Sequence, residues 1–226
     1  MMNKFLVVVF LVSSLMAIAQ TSQNRVVGSF TGIKVAEGID VYLKKGDRPA
    51  VRLEVSGTDP ENVITETVGG YLKIHMASGS YRSRTVKVYV TYVELEKISA
   101  SSAANIFSEG TVKAQNLSIS ASSAASVDLP VEAESLTINA SSAADVELRG
   151  KATRLSIDVS SSGEVDAFDL QAENVSVQAS SAGSAKVHVT SELNAQASSA
   201  GSVRYKGNPS RSNTNASSGG SVKKIS

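Results

Sequence analysis

The chain of 226 residues contains no cysteine and no tryptophan, and aromatic residues make up only 5% of it. Without cysteine no disulfide can form, so stability must come from packing and backbone pairing. The only two histidines, His75 and His188, lie far apart and outside any cluster of residues at ligand spacing, which argues against a metal site. The formal net charge is only +1, which argues against nucleic acid as a partner.

Long apolar runs are also missing, except at the N-terminus, where Lys4 precedes an apolar segment at Phe5–Met16. Ala17-Ile18-Ala19 then forms a small-residue cleavage motif, so residues 1–19 are predicted to be a signal peptide. The run is too short to span a bilayer comfortably, and an N-terminal anchor helix is the alternative. Because no cysteine follows the signal, we expect an exported protein of the periplasm, outer surface or medium that is not a lipoprotein.

One short phrase occurs seven times in the rest of the chain. It reads ASSAA from Ala100, Ala121 and Ala140, VSSSG from Val159, ASSAG from Ala179 and Ala197, and ASSGG from Ala216. The steps between successive copies are 21, 19, 19, 20, 18 and 19 residues. A period near 19 residues with strand-like flanks is typical of a solenoid in which each repeat forms one coil.

The residues around the phrase alternate between apolar and polar, which is the pattern of half-buried strands. The apolar or small register of the third copy consists of Leu136, Ile138, Ala140, Ser142, Ala144, Val146 and Leu148. Stacked coils would therefore align large aliphatic residues in two internal columns, one on each side of the phrase. The small residues between them indicate a tight corner or a flattened wall, where larger side chains would overpack.

The serines of the phrase are the candidate binding residues. Strict alternation would turn the first serine of each copy outward, giving a possible binding stripe of Ser101, Ser122, Ser141, Ser160, Ser180, Ser198 and Ser217. It would turn the second serine inward, giving a column of Ser102, Ser123, Ser142, Ser161, Ser181, Ser199 and Ser218. A corner would break this alternation, so both facings stay open. A flat stripe of small residues could bind a repetitive ligand such as a glycan, or could serve packing alone.

Carboxylates that follow the phrase in successive copies are the second group of candidates. They are Asp128, Asp145, Glu147, Glu164, Asp166 and Asp169. Stacked carboxylates on a β-helix wall hold calcium in polysaccharide lyases, but the equivalent turns further on carry Lys186, Arg204 and Lys223. Opposite charges on neighbouring coils favour surface ion pairs, each of which contributes little stability. We therefore predict no catalytic, cofactor-binding or metal-binding residue.

Residues 27–98 lack the phrase but contain five predicted strands separated by turn sequences. These strands are Ser29–Val35, Asp40–Lys44, Val51–Ser56, Tyr71–Met76 and Val86–Val93. We interpret them as irregular first coils of one solenoid domain at 27–226, whose regular repeats occupy 99–226, after a short linker at 20–26. A separate small β domain is the alternative. At the other end, Lys223-Lys224 would belong to a polar cap against end-to-end stacking.

A family resemblance begins at Phe30-Thr31-Gly32-Ile33-Lys34-Val35 and continues through Glu37-Gly38-Ile39-Asp40-Val41-Tyr42-Leu43 into the serial ASSA turns. Over roughly residues 27–222 the chain resembles the head GIN domain family, described as auto-transporter adhesin heads and common in exported proteins of Bacteroidetes. Gly38, Ile39 and Asp40 stand where the family name has Gly-Ile-Asn, and Asp keeps a turn-forming acceptor. The resemblance implies a right-handed parallel β-helix-like fold, an adhesive role outside the cytoplasm and no catalytic residues.

These features predict an all-β protein, a right-handed parallel β-helix-like solenoid with turns of about 19 residues. Its predicted function is that of a non-catalytic binding or adhesion module without a cofactor. The ligand would be a glycan or a surface protein, and self-association through the Ser/Ala face is a further hypothesis. Two alternatives stay open: a polysaccharide-active β-helix enzyme, and a structural envelope protein without a ligand.

Overall fold

The computed structural model describes residues 21–225, so the predicted signal peptide at 1–19 lies outside the described residues. This part of the chain forms seventeen strands and one turn of 3₁₀ helix at Pro60–Asn62, and it contains no α-helix. The strands up to the first phrase are β1 (Thr21–Arg25), β2 (Gly32–Val35), β3 (Asp40–Lys45), β4 (Ala50–Ser56), β5 (Val63–Val68), β6 (Tyr71–Met76), β7 (Thr85–Tyr92) and β8 (Lys97–Ala100). The repeats then form β9 (Asn105–Ser108), β10 (Val112–Ala121), β11 (Ser126–Ala140), β12 (Asp145–Val159), β13 (Glu164–Ala179), β14 (Ser184–Ala197), β15 (Ser202–Lys206), β16 (Arg211–Ala216) and β17 (Ser221–Lys224).

The repeats stack as parallel coils, which confirms the predicted β-solenoid and its spacing of about 19 residues. The register of β11 on β12 places Val127 beside Val146 and Ile138 beside Ile157. All four of these side chains are at most 2% exposed, so the two expected columns of aliphatic residues do form the core. Parallel pairing with an apolar interior follows from the sequence because every coil repeats the same inward register.

Each long strand of the repeats changes direction once in its middle. Buried residues of β11 alternate as far as Ala133, then Glu134 and Ser135 both face outward, and the alternation resumes at Leu136. Two consecutive outward residues shift the inward register by one position and so mark a bend. A coil is therefore folded at this bend on one side and at the Ser-rich phrase on the other.

The order of coils at the N-terminal end differs from their order in the chain. β2 lies between β6 and β8, and β3 lies between β7 and β9, with every pairing parallel. The outermost coil is thus built from β6 and β7, and the coil of β2 and β3 comes second although it is the earliest in the chain. The irregular coils continue the same sheet as the repeats.

Antiparallel strands cover this end of the stack. β4 pairs with β7 and β1 with β4 on one wall, whereas β5 pairs with β6 on another, all antiparallel. The Arg25 guanidinium anchors β1 by donating to the carbonyl of Pro60 at 2.7 Å and to Thr65 Oγ1 at 3.0 Å. Residues 21–25, within the stretch at 20–26 that was predicted as a linker, therefore form a paired edge strand.

The other end of the stack is formed by β16 and β17. All six residues of β16 are exposed, and Lys223 and Lys224 are exposed on β17. β16 pairs with β14 and β17 with β15, so the last coil presents a polar sheet edge. Charged and polar residues on an edge oppose pairing with another strand.

The interior is apolar along the whole stack. The buried residues form one continuous cluster, and no polar or charged residue is buried between residues 21 and 225. No helix in that range is long and apolar enough to span a membrane. Polar recognition by the described residues must therefore take place on the outer surface or at the ends of the stack.

Candidate functional site

Each copy of the phrase forms a tight turn at one corner of its coil. In the third copy Ser142 and Ala143 both have positive φ angles, 54° and 59°, and Ala144 donates its N–H to the carbonyl of Ser141 at 3.1 Å. Two central residues in the left-handed region with this hydrogen bond define a type I′ turn. Ala140 and Ala144 are both buried, so the apolar register continues beyond the corner.

The turns are hydrogen-bonded to one another along the stack. Ala124 donates its N–H to the carbonyl of Ser142 at 3.0 Å, and Ala143 donates to the carbonyl of Ser161 at 3.1 Å. The same pair of positive φ angles recurs in all seven copies of the phrase. The corner is therefore a continuous backbone ladder, which we call the corner ladder.

The turn breaks the strict alternation, so the inward serine column that alternation would have produced does not form. The second serines are exposed: Ser102, Ser123, Ser142, Ser161, Ser181, Ser199 and Ser218. Of the first serines, the six from Ser101 to Ser198 are half-buried: Ser101, Ser122, Ser141, Ser160, Ser180 and Ser198. The last one, Ser217, is exposed. A ligand-binding role for this stripe stays a prediction.

The small residue that follows each corner is explained by close approach of the neighbouring coil. A Cβ atom added at Gly183 would lie 2.6 Å from the carbonyl oxygen of Val159. At Gly201 it would lie 2.3 Å from the carbonyl oxygen of Ala179. These distances leave no room for a Cβ atom at Gly183 or Gly201, so these corners are tight, as the small residues predicted.

The motif of the family name forms the first rung of the corner ladder. Gly38 has a φ of 64°, and its N–H donates to the carbonyl of Ser102 at 2.9 Å. Ile39 is fully buried, and the Asp40 carboxylate accepts a hydrogen bond from Asn105 Nδ2 at 2.7 Å. The left-handed conformation favours glycine at this position. Gly38, Ile39 and Asp40 thus begin the corner ladder in the second coil of the stack, and Asp40 links two coils through its side chain.

Six charged side chains form one outward column on the strands that follow the corners. This charged column consists, one residue per coil, of Asp128, Glu147, Asp166, Lys186, Arg204 and Lys223. The structure thus brings the predicted carboxylates and the later basic residues onto one wall. Asp145 and Glu164 lie beside one another in the adjacent outward column.

Ion pairs link neighbouring coils of this wall, as the sequence predicted. Lys186 Nζ lies 2.9 Å from Asp166 Oδ2 and 3.0 Å from Glu164 Oε1, and these hydrogen bonds raise the pKa of Lys186. Arg149 pairs with Asp128. Burial, with the nearby Glu164 and Asp166 carboxylates, raises the pKa of Asp145. Repulsion within the acidic half is therefore only partly relieved.

Three of the few aromatic residues continue the same column toward the N-terminal end. The ring of Tyr42 stacks between Tyr89, at a centroid distance of 5.2 Å, and Phe107, at 5.3 Å. The guanidinium of Arg52 lies 3.9 Å from the centroid of the Tyr89 ring. This stack could not be predicted from the repeat alone, because aligning Tyr42 with Phe107 requires that Gly38 be recognised as equivalent to a phrase residue.

A groove runs along the outer surface near the bend of the long strands, with a cavity volume of about 810 Å³. Its floor includes one alanine in each of three coils, Ala114, Ala133 and Ala152, whereas Ala172 at the equivalent position of the next coil is fully buried. Polar residues border each alanine on both sides, in the order Lys113 and Gln115, Glu132 and Glu134, Lys151 and Thr153, and Gln171 and Glu173. We call this feature the alanine groove. Its polar–Ala–polar repeat is visible in the sequence but lies away from the phrase and was missed.

One rim of the alanine groove is a ladder of ion pairs. Glu132 lies between two ammonium groups, with Lys113 Nζ and Lys151 Nζ each 2.9 Å from its carboxylate oxygens. The hydrogen bonds from Lys151 and Lys113 lower the pKa of Glu132 to about 2. The rim therefore keeps alternating charges over three coils across the ordinary pH range.

The two histidines are both half-buried and lie on different coils. His75 Nδ1 is 2.9 Å from the carbonyl oxygen of Met76. Among residues 21–225 no group of three or more His, Cys, Asp or Glu side chains is arranged to hold a metal ion.

A parallel β-solenoid with an apolar interior and regularly spaced surface groups belongs to the class of solenoid repeat proteins. The family described as putative auto-transporter adhesin, head GIN domain, matches residues 29–209, and the chain belongs to this family. This membership suggests an exported or surface-located binding module rather than an enzyme.

Solved structures of similar fold cover most of the chain. A putative adhesin from Bacteroides fragilis NCTC 9343 has a TM-score of 0.78 at 17% identity, covering 92% of this chain and 97% of its own. A putative lipid binding protein from Parabacteroides distasonis ATCC 8503 has a TM-score of 0.74 at 21% identity, with coverage of 92% and 97%. A putative adhesin from Parabacteroides merdae ATCC 43184 has a TM-score of 0.74 at 21% identity, with coverage of 92% and 96%. No curated protein matches the chain.

Proposed function

We propose that the protein is an exported, non-catalytic adhesion module that binds an extended glycan along the alanine groove. The observation that carries this proposal is the polar–Ala–polar profile repeated at the same place in four consecutive coils. Concave surfaces of solenoids are the usual places where repeat proteins hold elongated ligands. Membership of an adhesin family supports a binding role.

The chemistry of the groove suits a chain of sugar units. No large side chain fills its floor, because Ala133 and Ala152 are only 9% and 6% exposed, so a ligand can approach the backbone between the polar rims. The rims offer carboxylate acceptors, ammonium donors and amide groups in steps of about 4.8 Å. Such groups form hydrogen bonds with hydroxyls, and charged partners make them stronger.

Binding of the purified protein to an array of glycans and matrix proteins tests the proposal. We expect saturable binding to a glycan that is lost in Thr153→Trp, because the indole would fill the groove. Thr137→Trp is the matched control, since Thr137 is an exposed outward residue of the same strand pair away from the groove.

Three other outcomes would contradict the proposal. Loss of binding in the triple variant Ser122→Lys, Ser141→Lys, Ser160→Lys, with Thr153→Trp still active, would assign the ligand to the serine stripe. Cleavage of a polysaccharide on the same array, assayed with and without calcium, would favour the enzyme alternative. The absence of any binding would favour a structural envelope protein.

The location belongs to the same proposal and has its own test. We propose export with removal of residues 1–19, on the basis of the Ala17-Ile18-Ala19 motif. Mass spectrometry of the protein from the periplasm, envelope and medium should find a mature N-terminus at Gln20. An intact N-terminus at Met1 would show that no signal peptide is removed.

A further inference from the structure

The sign of the charge along the charged column changes between Asp166 and Lys186. On one side lie three acidic residues in consecutive coils, and on the other three basic residues. The imbalance extends beyond the column, because residues 193–225 contain five Lys or Arg and no carboxylate. Residues 126–173 contain ten carboxylates against three Lys or Arg. The solenoid is therefore bipolar along its axis.

A column of this kind is complementary to itself when it is reversed. If two copies face each other with their axes antiparallel, Asp128 lies opposite the partner's Lys223 and Glu147 opposite the partner's Arg204. Asp166 then lies opposite the partner's Lys186. A twofold axis in the interface produces each of these contacts twice. The parallel arrangement would instead place like charges against each other, which disfavours it.

The outward column nearer the corner fits the same arrangement. It consists of Ser126, Asp145, Glu164, Ser184, Ser202 and Ser221. Reversal places Asp145 opposite the partner's Ser202, and Glu164 opposite the partner's Ser184, so small hydroxyl donors meet the carboxylates. On the far side Arg149 would approach the partner's Lys206. Each of these two cations already has a carboxylate of its own chain, at Asp128 and Asp169.

Several charges of the column are available for such contacts. Glu147, Arg204 and Lys223 are exposed and form no ion pair with any residue in the described range 21–225. The central Asp166 and Lys186 are paired within the chain and would contribute less. Asp128 is also paired, with Arg149 of its own chain, so the contacts between Glu147 and the partner's Arg204 dominate the charge complementarity.

The area of the wall that carries the charged column limits the strength of the contact. Six coils at about 4.8 Å and three outward columns at about 6.6 Å give roughly 550 Å² per copy, or about 1,100 Å² in total. This is below the roughly 1,600 Å² of a standard stable interface and within the range of weak, transient ones. A contact made mainly of exposed charges is also sensitive to salt.

We propose that the wall carrying the charged column is a docking surface for a second copy of this chain. The two copies associate face to face with their solenoid axes antiparallel. The association is weak and reversible. It joins the modules side by side, so the alanine groove and the corner ladder do not take part. It is distinct from the self-association through the Ser/Ala face that the sequence led us to consider.

Sedimentation velocity over a concentration series tests this surface. We expect a dimer at about 20 mM NaCl whose Kd rises by about tenfold or more at 0.5 M NaCl, because the Debye length shrinks from roughly 20 Å to about 4 Å. Glu147→Lys and Arg204→Glu should each remain monomeric at low salt. Glu173→Lys, which makes the same charge change in the alanine groove, should dimerise like the wild type.

The decisive measurement mixes the two single variants. In the mixture, the lysine of the Glu147→Lys copy faces the glutamate of the Arg204→Glu copy. The unchanged Arg204 of the first copy faces the unchanged Glu147 of the second. A heterodimer should therefore form although neither variant dimerises alone. A wild type that stays monomeric at low salt, or a mixture that fails to associate, overturns the proposal. Association that is lost in Ser141→Lys and kept in Glu147→Lys assigns the contact to the corner and also overturns it.

Discussion

The corner ladder places small non-glycine residues in a conformation that costs free energy. The left-handed region costs about 1–2 kcal/mol for an L-residue other than glycine. Ala143 occupies it at a φ of 59°, whereas the seventh copy has Gly219 at the equivalent position. Glycine removes this cost, but it also raises the conformational entropy of the unfolded chain, which lowers the free energy of unfolding by about 0.4–1 kcal/mol. Ala143→Gly should therefore raise the free energy of unfolding by about 1 kcal/mol.

The effect should accumulate over the stack because the corners are equivalent. The combined variant changes Ala103, Ala124, Ala143, Ala182 and Ala200 to glycine. It should gain about 4 kcal/mol, which corresponds to roughly 10 °C in Tm for a chain of this size. Urea and thermal unfolding followed by circular dichroism measure both quantities.

A matched variant separates this effect from a general response to glycine. Ala140→Gly removes a buried methyl group from extended backbone three residues before Ala143, and it should lower stability by about 1–2 kcal/mol. If Ala143→Gly lowered the unfolding midpoint as Ala140→Gly does, the reasoning from the positive φ angle would be refuted. An unchanged m-value is required for either comparison.

Three further outcomes follow from the structure. Gly183→Ala should cost about 1–3 kcal/mol by overpacking, whereas Gly110→Ala, with no atom near the added Cβ, should change urea stability little. Carbon-detected NMR titration should find the pKa of Glu132 near 2, and Lys151→Met should raise it. Because this folded-state pKa is depressed, its contribution to stability is present above the unfolded pKa and is lost as pH falls toward 2. Arg25→Ala should free β1, which hydrogen exchange of its amides would detect as faster exchange.

The repeat region could be predicted closely because its pattern is both local and periodic. Leu136, Ile138, Val146 and Leu148 face inward as the alternation required, since one inward register is repeated in every coil. The exposed facing of Ser142 could not be derived from alternation. It depends on two successive left-handed residues, which a Ser-Ala pair does not signal as glycine would.

The N-terminal end was harder to predict because its pairing is not sequential. β5 and β1 were not expected as strands, and nothing local places β2 between β6 and β8. That order depends on contacts between distant segments, which hydrophobic periodicity does not record. For the same reason the aromatic stack and the charged column emerged only when the coils were aligned in three dimensions.

The position of β2 and β3 inside the stack has a consequence for assembly. Their coil is not paired on both faces until the chain has been made as far as Ser108, because β6–β7 supply one neighbour and β8–β9 the other. Residues 32–108 therefore form a seed whose pairing is completed only when β8 and β9 are in place. Each later coil then pairs with the coil before it, so the stack extends in one direction. Deleting whole repeats should shorten the stack and leave the seed intact. Disrupting the seed should instead deprive every later coil of the paired edge on which it forms.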